Sequence, residues 1–190
     1  MSDYHQPEFY RFSEDSLKLV HFVKANVDSV QNILDVCAGC GVIGMELAAF
    51  YQSQLTLVEA QKDFLPSLEQ NAAQFLRMKP GIFIGQLSAF TSKEKFDLIV
   101  CNPPYYLPAH GQKSTDARRD TARRFTQDGW GELLKLIQIS LSDAGQAFLV
   151  IKNQNAVLEE IKRNLPSELR KDLFKKDDLI FLKLVRLNIN

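Results

Sequence analysis

The chain has 190 residues with 23 basic and 23 acidic side chains, so a formal net charge of zero excludes a whole-molecule field for nucleic acid or membrane and leaves only local patches. Its 45% hydrophobic and 24% charged residues are those of a globular protein, and the length suits one domain with a self-sufficient core. No apolar stretch approaches the ~20 residues of a membrane span; the opening Met1-Ser2-Asp3-Tyr4-His5 lacks a signal-peptide pattern, and three cysteines, an odd number, fit a reducing cytoplasm.

Strand-length apolar runs alternate with segments of helical period, which predicts an α/β fold with a mostly parallel sheet. Leu19, Phe22, Val23, Asn26, Val27 and Val30 share one helical face, with Ser13 as cap before Glu14 and Asp15. Asn32 to Cys37 reads as a first strand, followed by a glycine turn and a helix from about Val42 to Phe50. Gln54 to Glu59 is the second strand. The next helix buries Phe64, Leu65, Leu68, Ala72, Phe75 and Leu76 and stops at Met78-Lys79-Pro80-Gly81. Ile82 to Ile84 and Phe96 to Cys101 are the third and fourth strands. A further helix groups Trp130, Leu133, Leu134, Ile137 and Leu141 before a fifth strand at Gln146 to Ile151. After a helix around Val157 to Leu165, two apolar runs flank Lys175-Lys176-Asp177-Asp178 as a terminal antiparallel hairpin. No internal repeat or interdomain linker is evident.

The glycine turn reads Asp35-Val36-Cys37-Ala38-Gly39-Cys40-Gly41-Val42-Ile43-Gly44. Gly39, Gly41 and Gly44 satisfy G-x-G-x-x-G, and Glu59 ends the second strand twenty positions after Gly39. That pattern admits a dinucleotide: the glycines let a ligand approach the backbone, and Glu59 can accept from ribose hydroxyls. Asp35 argues for a different adenosine cofactor, because a carboxylate near the strand end repels a pyrophosphate. S-adenosylmethionine carries no phosphate and is cationic, so it tolerates such a site. A purely structural glycine turn is the plain alternative. Cys37-x-x-Cys40 has metal or redox spacing, but it lies inside the turn and no second ligand pair exists.

Asn102-Pro103-Pro104-Tyr105 follows the fourth strand directly. Two prolines donate no N–H and fix φ, so an interior strand cannot continue through them. The segment presents the Asn102 amide, backbone carbonyls and an aromatic face, which together can grip a planar amine. Alone it is equally a strand-ending turn. Beyond it, Lys113, Arg118, Arg119, Arg123 and Arg124, with Asp116 and Asp120, give a local balance of +3. That stretch reads as a phosphate-contacting lip or as a solvated helix with Asp120 and Arg124 paired.

On these residues the chain resembles the class I S-adenosylmethionine-dependent methyltransferases. Asp35, Gly39, Gly41 and Glu59 fall on that superfamily's first two motifs, and Asn102-Pro103-Pro104-Tyr105 on the fourth motif of its amino-methyltransferases. Tyr10-Arg11-Phe12-Ser13-Glu14-Asp15-Ser16-Leu17 and Ala117 to Arg124 are similar to segments of the bacterial enzymes that methylate adenine N6 beside the anticodon of a valine tRNA. The fold implied is Rossmann-like: a seven-stranded, mostly parallel sheet with its last strand antiparallel and helices on both faces. Residues 1–190 then form one methyltransferase domain, with residues 1–30 a helical segment over the cofactor site. The resemblance implies S-adenosyl-L-methionine held by Arg11, Phe12, Asp35, Ala38, Gly39, Gly41, Glu59, Ala60, Gln86, Leu87 and Asn102. The position after the third strand, usually acidic and facing the adenine, is Gln86 here, whose amide oxygen can still accept from an amine.

The chemistry implied places catalysis on Asn102, Pro103, Pro104 and Tyr105. The Asn102 side-chain oxygen and Pro103 carbonyl accept the two amine hydrogens, which turns the nitrogen lone pair toward the methyl donor. Tyr105 stacks on the base and fixes its approach. Lys113, Arg118, Arg119, Arg123 and Arg124 contact RNA, the expected partner. No metal, membrane or obligate protein partner is expected, and the location is cytoplasmic. Protein-glutamine N5 methylation, a dinucleotide-dependent oxidoreductase and a non-catalytic binding module are the other readings.

Overall fold

A computed structural model describes residues 3–104, 115–122, 125 and 128–187. Helix α1 spans Glu14–Lys24, β1 Asn32–Val36, α2 Val42–Tyr51, β2 Gln54–Glu59, α3 Leu65–Phe75, β3 Gly81–Ile84 and β4 Phe96–Cys101. Then follow α4 Ala117–Thr121, α5 Gly129–Ser140, β5 Leu141–Lys152, α6 Asn155–Asn164, β6 Leu169–Lys176 and β7 Leu179–Arg186. The sheet has the order β3-β2-β1-β4-β5-β7-β6. Its first five strands pair in parallel; β7 runs antiparallel to both β5 and β6. Among the described residues no helix is long and apolar enough to cross a membrane.

Strands buried on both faces need apolar residues at successive positions, one set for each side. In β5, Phe148 and Val150 join a core with Leu19 and Val23 of α1, Met45 of α2 and Leu68 of α3. Leu149 and Ile151 point the other way, into a core with Leu133 and Ile137 of α5 and Val157 and Ile161 of α6. A one-residue slip in register would exchange the two cores, so the pairing is strongly specified. Each fully buried Leu or Val contributes about 1.5–3 kcal/mol relative to exposure.

The elements differ from the sequence expectation at their ends. Helix α1 stops at Lys24, short of Asn26, Val27 and Val30. The Asn26 side-chain amide donates to the Phe22 carbonyl at 2.8 Å, and its backbone N–H bonds Val23 O at 3.0 Å. Ser13 occupies the cap position without a side-chain hydrogen bond. Strand β1 ends before Cys37, which turns to φ 58°. Phe64 lies in a 3-10 turn, Lys62–Phe64, ahead of α3, and Leu76 is extended beyond it. Leu141 opens β5 rather than closing α5. The pairing of β4 with β5 shifts register between Phe96 and Leu98 there, beside Gly145, where a Cβ would come within 2.8 Å of Phe96 O.

Strand β1 is the topological switch point. The chain leaves it toward β2 and β3 on one side and toward β4 and β5 on the other, which opens a crevice at the carboxyl ends of β1 and β4. Helix α2 packs over that end through Gly44. A Cβ at Gly44 would lie 2.8 Å from both Asp35 Cβ and Leu55 Cδ1. Gly44→Ala should therefore destabilise the fold by ~1–3 kcal/mol through overpacking, which outweighs the gain of up to about 1 kcal/mol in helix propensity. Chemical denaturation checks this: the midpoint should fall, and a rise would contradict so close an approach of α2 to β1.

Candidate active site

Gly39 and Gly41 both have positive φ, 56° and 82°, which reverses the chain between β1 and α2. A Cβ at Gly41 would also sit 2.5 Å from Met45 Cε and 3.0 Å from Leu68 Cδ2. Three of the turn's N–H groups are engaged within the protein. Gly41 N donates to Ala38 O at 2.8 Å, Gly39 N to Glu59 Oε2 at 2.8 Å and Gly44 N to Asp35 Oδ2 at 2.8 Å. Asn71, fully buried on α3, donates to Cys40 O at 2.9 Å and to His5 O at 3.0 Å. It thereby ties the N-terminal segment to the same turn.

The two carboxylates differ. Glu59 lines the crevice, with Oε1 accepting Gln61 N–H at 2.9 Å; burial pushes its pKa up, against the pull of these backbone N–H groups. Each oxygen keeps a second lone pair for a ribose hydroxyl. Asp35 is 1% exposed and lines neither cavity of the crevice. Burial pushes its carboxyl up to about 7; the Gly44 N–H opposes this and the Glu59 charge adds to it. Its Oδ1 has no hydrogen-bond partner among the described residues. Asp35 thus anchors the first turn of α2 from below.

A cavity of about 130 Å³ gathers residues from four loops. Glu59, Ala60 and Gln61 follow β2, Gln86 and Leu87 follow β3, and Asn102 and Pro104 follow β4; Gly39 closes the turn side. A smaller adjoining cavity is lined by Phe12, Ser16 and Ala38, with Tyr10, Cys37 and Asn102 shared between the two. Of the sequence-predicted residues, these are the ones brought together. Gly41 and Pro103 line neither space. Arg11 is also outside: its guanidinium donates to Pro7 O at 2.7 Å and Tyr10 O at 3.0 Å, bracing the N-terminal turn. Tyr105, Lys113, Arg123 and Arg124 lie outside the described residues.

Arg118 is engaged within the protein. It pairs with Asp116 at 2.9 Å and lies 4.8 Å from the Phe9 ring centroid, while its carbonyl accepts from Gln61 Nε2 at 3.0 Å. Arg119 is exposed beside it. Asn102 Nδ2 donates to Ser16 Oγ at 3.0 Å. Sequence reasoning missed Tyr10, Phe64 and Glu132 on the main cavity, which Phe125, a stacking or core candidate in the sequence, also lines. Tyr10 and Phe64 meet edge to face at 5.2 Å, a long-range contact; Phe125 packs on Trp130, a core residue as its helical spacing implies. The Cys37-x-x-Cys40 pair is split: Cys37 faces the crevice and contacts Cys101, whereas Cys40 is buried, its thiol pushed up to about 12.

The residues present fit an adenosine cofactor without phosphates. In a dinucleotide site the glycine-turn N–H groups are left for the pyrophosphate; here Gly39 and Gly44 give theirs to carboxylates. Such a turn, below a crevice with Asn102 and Pro104 at its rim, is the arrangement of the Rossmann-like methyltransferase fold. The sequence model of the Methyltransferase small domain family matches residues 14–166, and the chain belongs to that family. It is 34% identical over 137 residues to a tRNA1(Val) (adenine(37)-N6)-methyltransferase of Shewanella putrefaciens, covering 69% of this chain and 56% of the relative. It is 31% identical over 134 residues to the protein of that name from Shewanella halifaxensis, covering 68% and 54%. The chain spans just over half the length of these curated relatives. Among solved structures it resembles TrmN from Thermus thermophilus (TM-score 0.64, 16% identity, 90% of this chain and 48% of that one). It also resembles the glycopeptide N-methyltransferase MtfA complexed with S-adenosylmethionine (TM-score 0.66, 10% identity, 98% and 99%).

The Asp35 carboxyl gives a pH signature. A pKa raised in the folded state contributes stability that is complete below the unfolded value of 3.8 and is lost as pH rises through about 7. Asp35→Asn keeps an acceptor for Gly44 N–H and removes the charge. The melting temperature of the variant relative to wild type should climb between pH 3.8 and about 7 and then level. Thermal melts by circular dichroism check this, and a flat difference across that window would contradict a buried, raised Asp35.

Proposed function

We propose that this protein is an S-adenosylmethionine-dependent N-methyltransferase acting on the exocyclic amine of an adenine in tRNA, within the anticodon loop. The observation that carries the reading is Asn102 and Pro104, at the end of β4, sharing one cavity with Glu59, Gly39 and Gln86. A strand-end amide beside the crevice that holds Glu59 and Gly39 brings an amine acceptor to a methyl-donor site. The valine-tRNA substrate is supported by the names of the relatives, and a cytoplasmic location follows from that substrate.

Glu59 would hold the cofactor ribose, Gly39 would allow its close approach, and Gln86 with Leu87 would receive the adenine edge. When bound, S-adenosylmethionine supplies an electrophilic methyl group. An aromatic amine is a poor nucleophile because its lone pair is delocalised into the ring. The Asn102 oxygen and Pro103 carbonyl accept its two hydrogens, direct the lone pair into the crevice and stabilise the positive charge that develops on nitrogen. Tyr105 stacks on the base and restricts it to a productive orientation. An anticodon-loop base is unpaired, so turning it into the crevice costs little. Arg119, with Lys113, Arg123 and Arg124, contacts the RNA backbone; Arg118 instead stays on Phe9 and Asp116.

Incubating the protein with labelled S-adenosylmethionine and unmodified tRNA1(Val) transcript, followed by nucleoside analysis, tests the reading. N6-methyladenosine is the expected product; label appearing only in a protein fraction would redirect the activity to a glutamine amide. Asn102→Ala should lower kcat by ~100-fold or more, as loss of a charge-stabilising hydrogen-bond partner does elsewhere, with cofactor affinity little changed. Unchanged turnover would remove Asn102 from the reaction.

A further inference from the structure

An asparagine amide is useful as an acceptor only if its oxygen, not its NH2, faces the substrate. The two ends have the same shape, and a half-turn of the side chain would set donor against donor. At Asn102 the NH2 end is committed: Nδ2 donates to Ser16 Oγ at 3.0 Å, so the carbonyl end is the one turned away from α1. Ser16 is buried in the first turn of α1, where its N–H bonds Ser13 O at 3.1 Å. The preceding Asp15 pairs with Lys152 at 3.2 Å, and Lys152 also reaches Asp178 at 3.0 Å. The start of α1 is thus fastened to the end of β5, next to β4 in the sheet, on the sheet edge that carries Asn102. Ser16 and Asn102 line the same small cavity that continues the crevice.

We propose that Ser16 is a positioning residue: its hydroxyl oxygen, accepting from Nδ2, fastens the Asn102 side chain in the orientation that turns the amide oxygen toward the substrate amine. The proposal rests on the methyl-transfer reading above and deepens it, by making the N-terminal helix part of the catalytic arrangement. It also gives the helix a role that depends on one hydroxyl rather than on packing alone.

The test compares wild type, Ser16→Ala and Ser16→Thr on unmodified tRNA1(Val) transcript, with calorimetric S-adenosylmethionine affinity and thermal melts in parallel. Ser16→Ala should lower kcat about tenfold, equivalent to ~1.4 kcal/mol in the barrier, while KM for tRNA, cofactor affinity and melting temperature stay near wild type. Ser16→Thr keeps the oxygen and should recover most of the rate. An alanine variant with wild-type kcat would overturn the proposal while leaving methyl transfer standing. So would a loss of cofactor affinity or melting temperature that matches the loss of rate. A wild-type protein that transfers no methyl group to RNA would overturn the methyl-transfer reading and this proposal with it.

Discussion

Two buried carboxylates, each at the carboxyl end of one of two neighbouring parallel strands, hold the glycine turn against the sheet. Asp35 takes the N–H of Gly44 in the first turn of α2, and Glu59 takes that of Gly39. Without Glu59 the positive-φ turn would present the unpaired Gly39 N–H to the crevice, and such groups are the anion-binding device of dinucleotide folds. With both acids in place, the Gly39 and Gly44 N–H groups are taken by carboxylates, and the crevice suits a cofactor without phosphates. Burial makes both acids weaker than in water, and Asp35 in particular sits near its midpoint at neutral pH. The same bonds therefore shape the fold, its pH dependence and the class of ligand it admits.

The sheet order converts this local arrangement into a site. Because β1 lies between β2 and β4, the glycine turn, Glu59 and Asn102 come to one edge although sequence separates them widely. Val36 and Cys101 are register partners, so the residues after them, Cys37 and Asn102, open on the same crevice. The N-terminal segment then closes it from the side through Tyr10, Phe12 and Ser16. Besides packing of Tyr4, Phe9 and Tyr10 on the core, it is attached by polar contacts: His5 to Asn71, Asp15 to Lys152 and Ser16 to Asn102.

The strands, the hairpin and the glycine turn were legible because apolar runs and breaker residues carry local physical signals. The ends of α1 and β5 were not. Asn26 stops its helix by a side-chain bond to Phe22, and Leu141 changes element because β5 begins with a register shift beside Gly145. Site residues with a motif, such as Glu59 and Asn102, were identified; Tyr10, Glu132 and Ser16 reach the crevice by tertiary contact and leave no periodic trace. Asp35 was singled out for its charge, yet it acts from beneath the turn. Sequence gives the order of residues, while hydrogen bonding decides which way a carboxylate faces. Arg118 makes the same point: a cation next to a substrate-side loop is spent on Asp116 and Phe9.

The central claim is that capture of the Gly39 and Gly44 N–H groups by Glu59 and Asp35 makes this a methyl-donor site rather than a dinucleotide site. Isothermal titration of the same protein sample with S-adenosylmethionine and with NADH tests it most directly. The account predicts saturable 1:1 binding of S-adenosylmethionine and no measurable binding of NADH. Binding of NADH in preference to S-adenosylmethionine would contradict it.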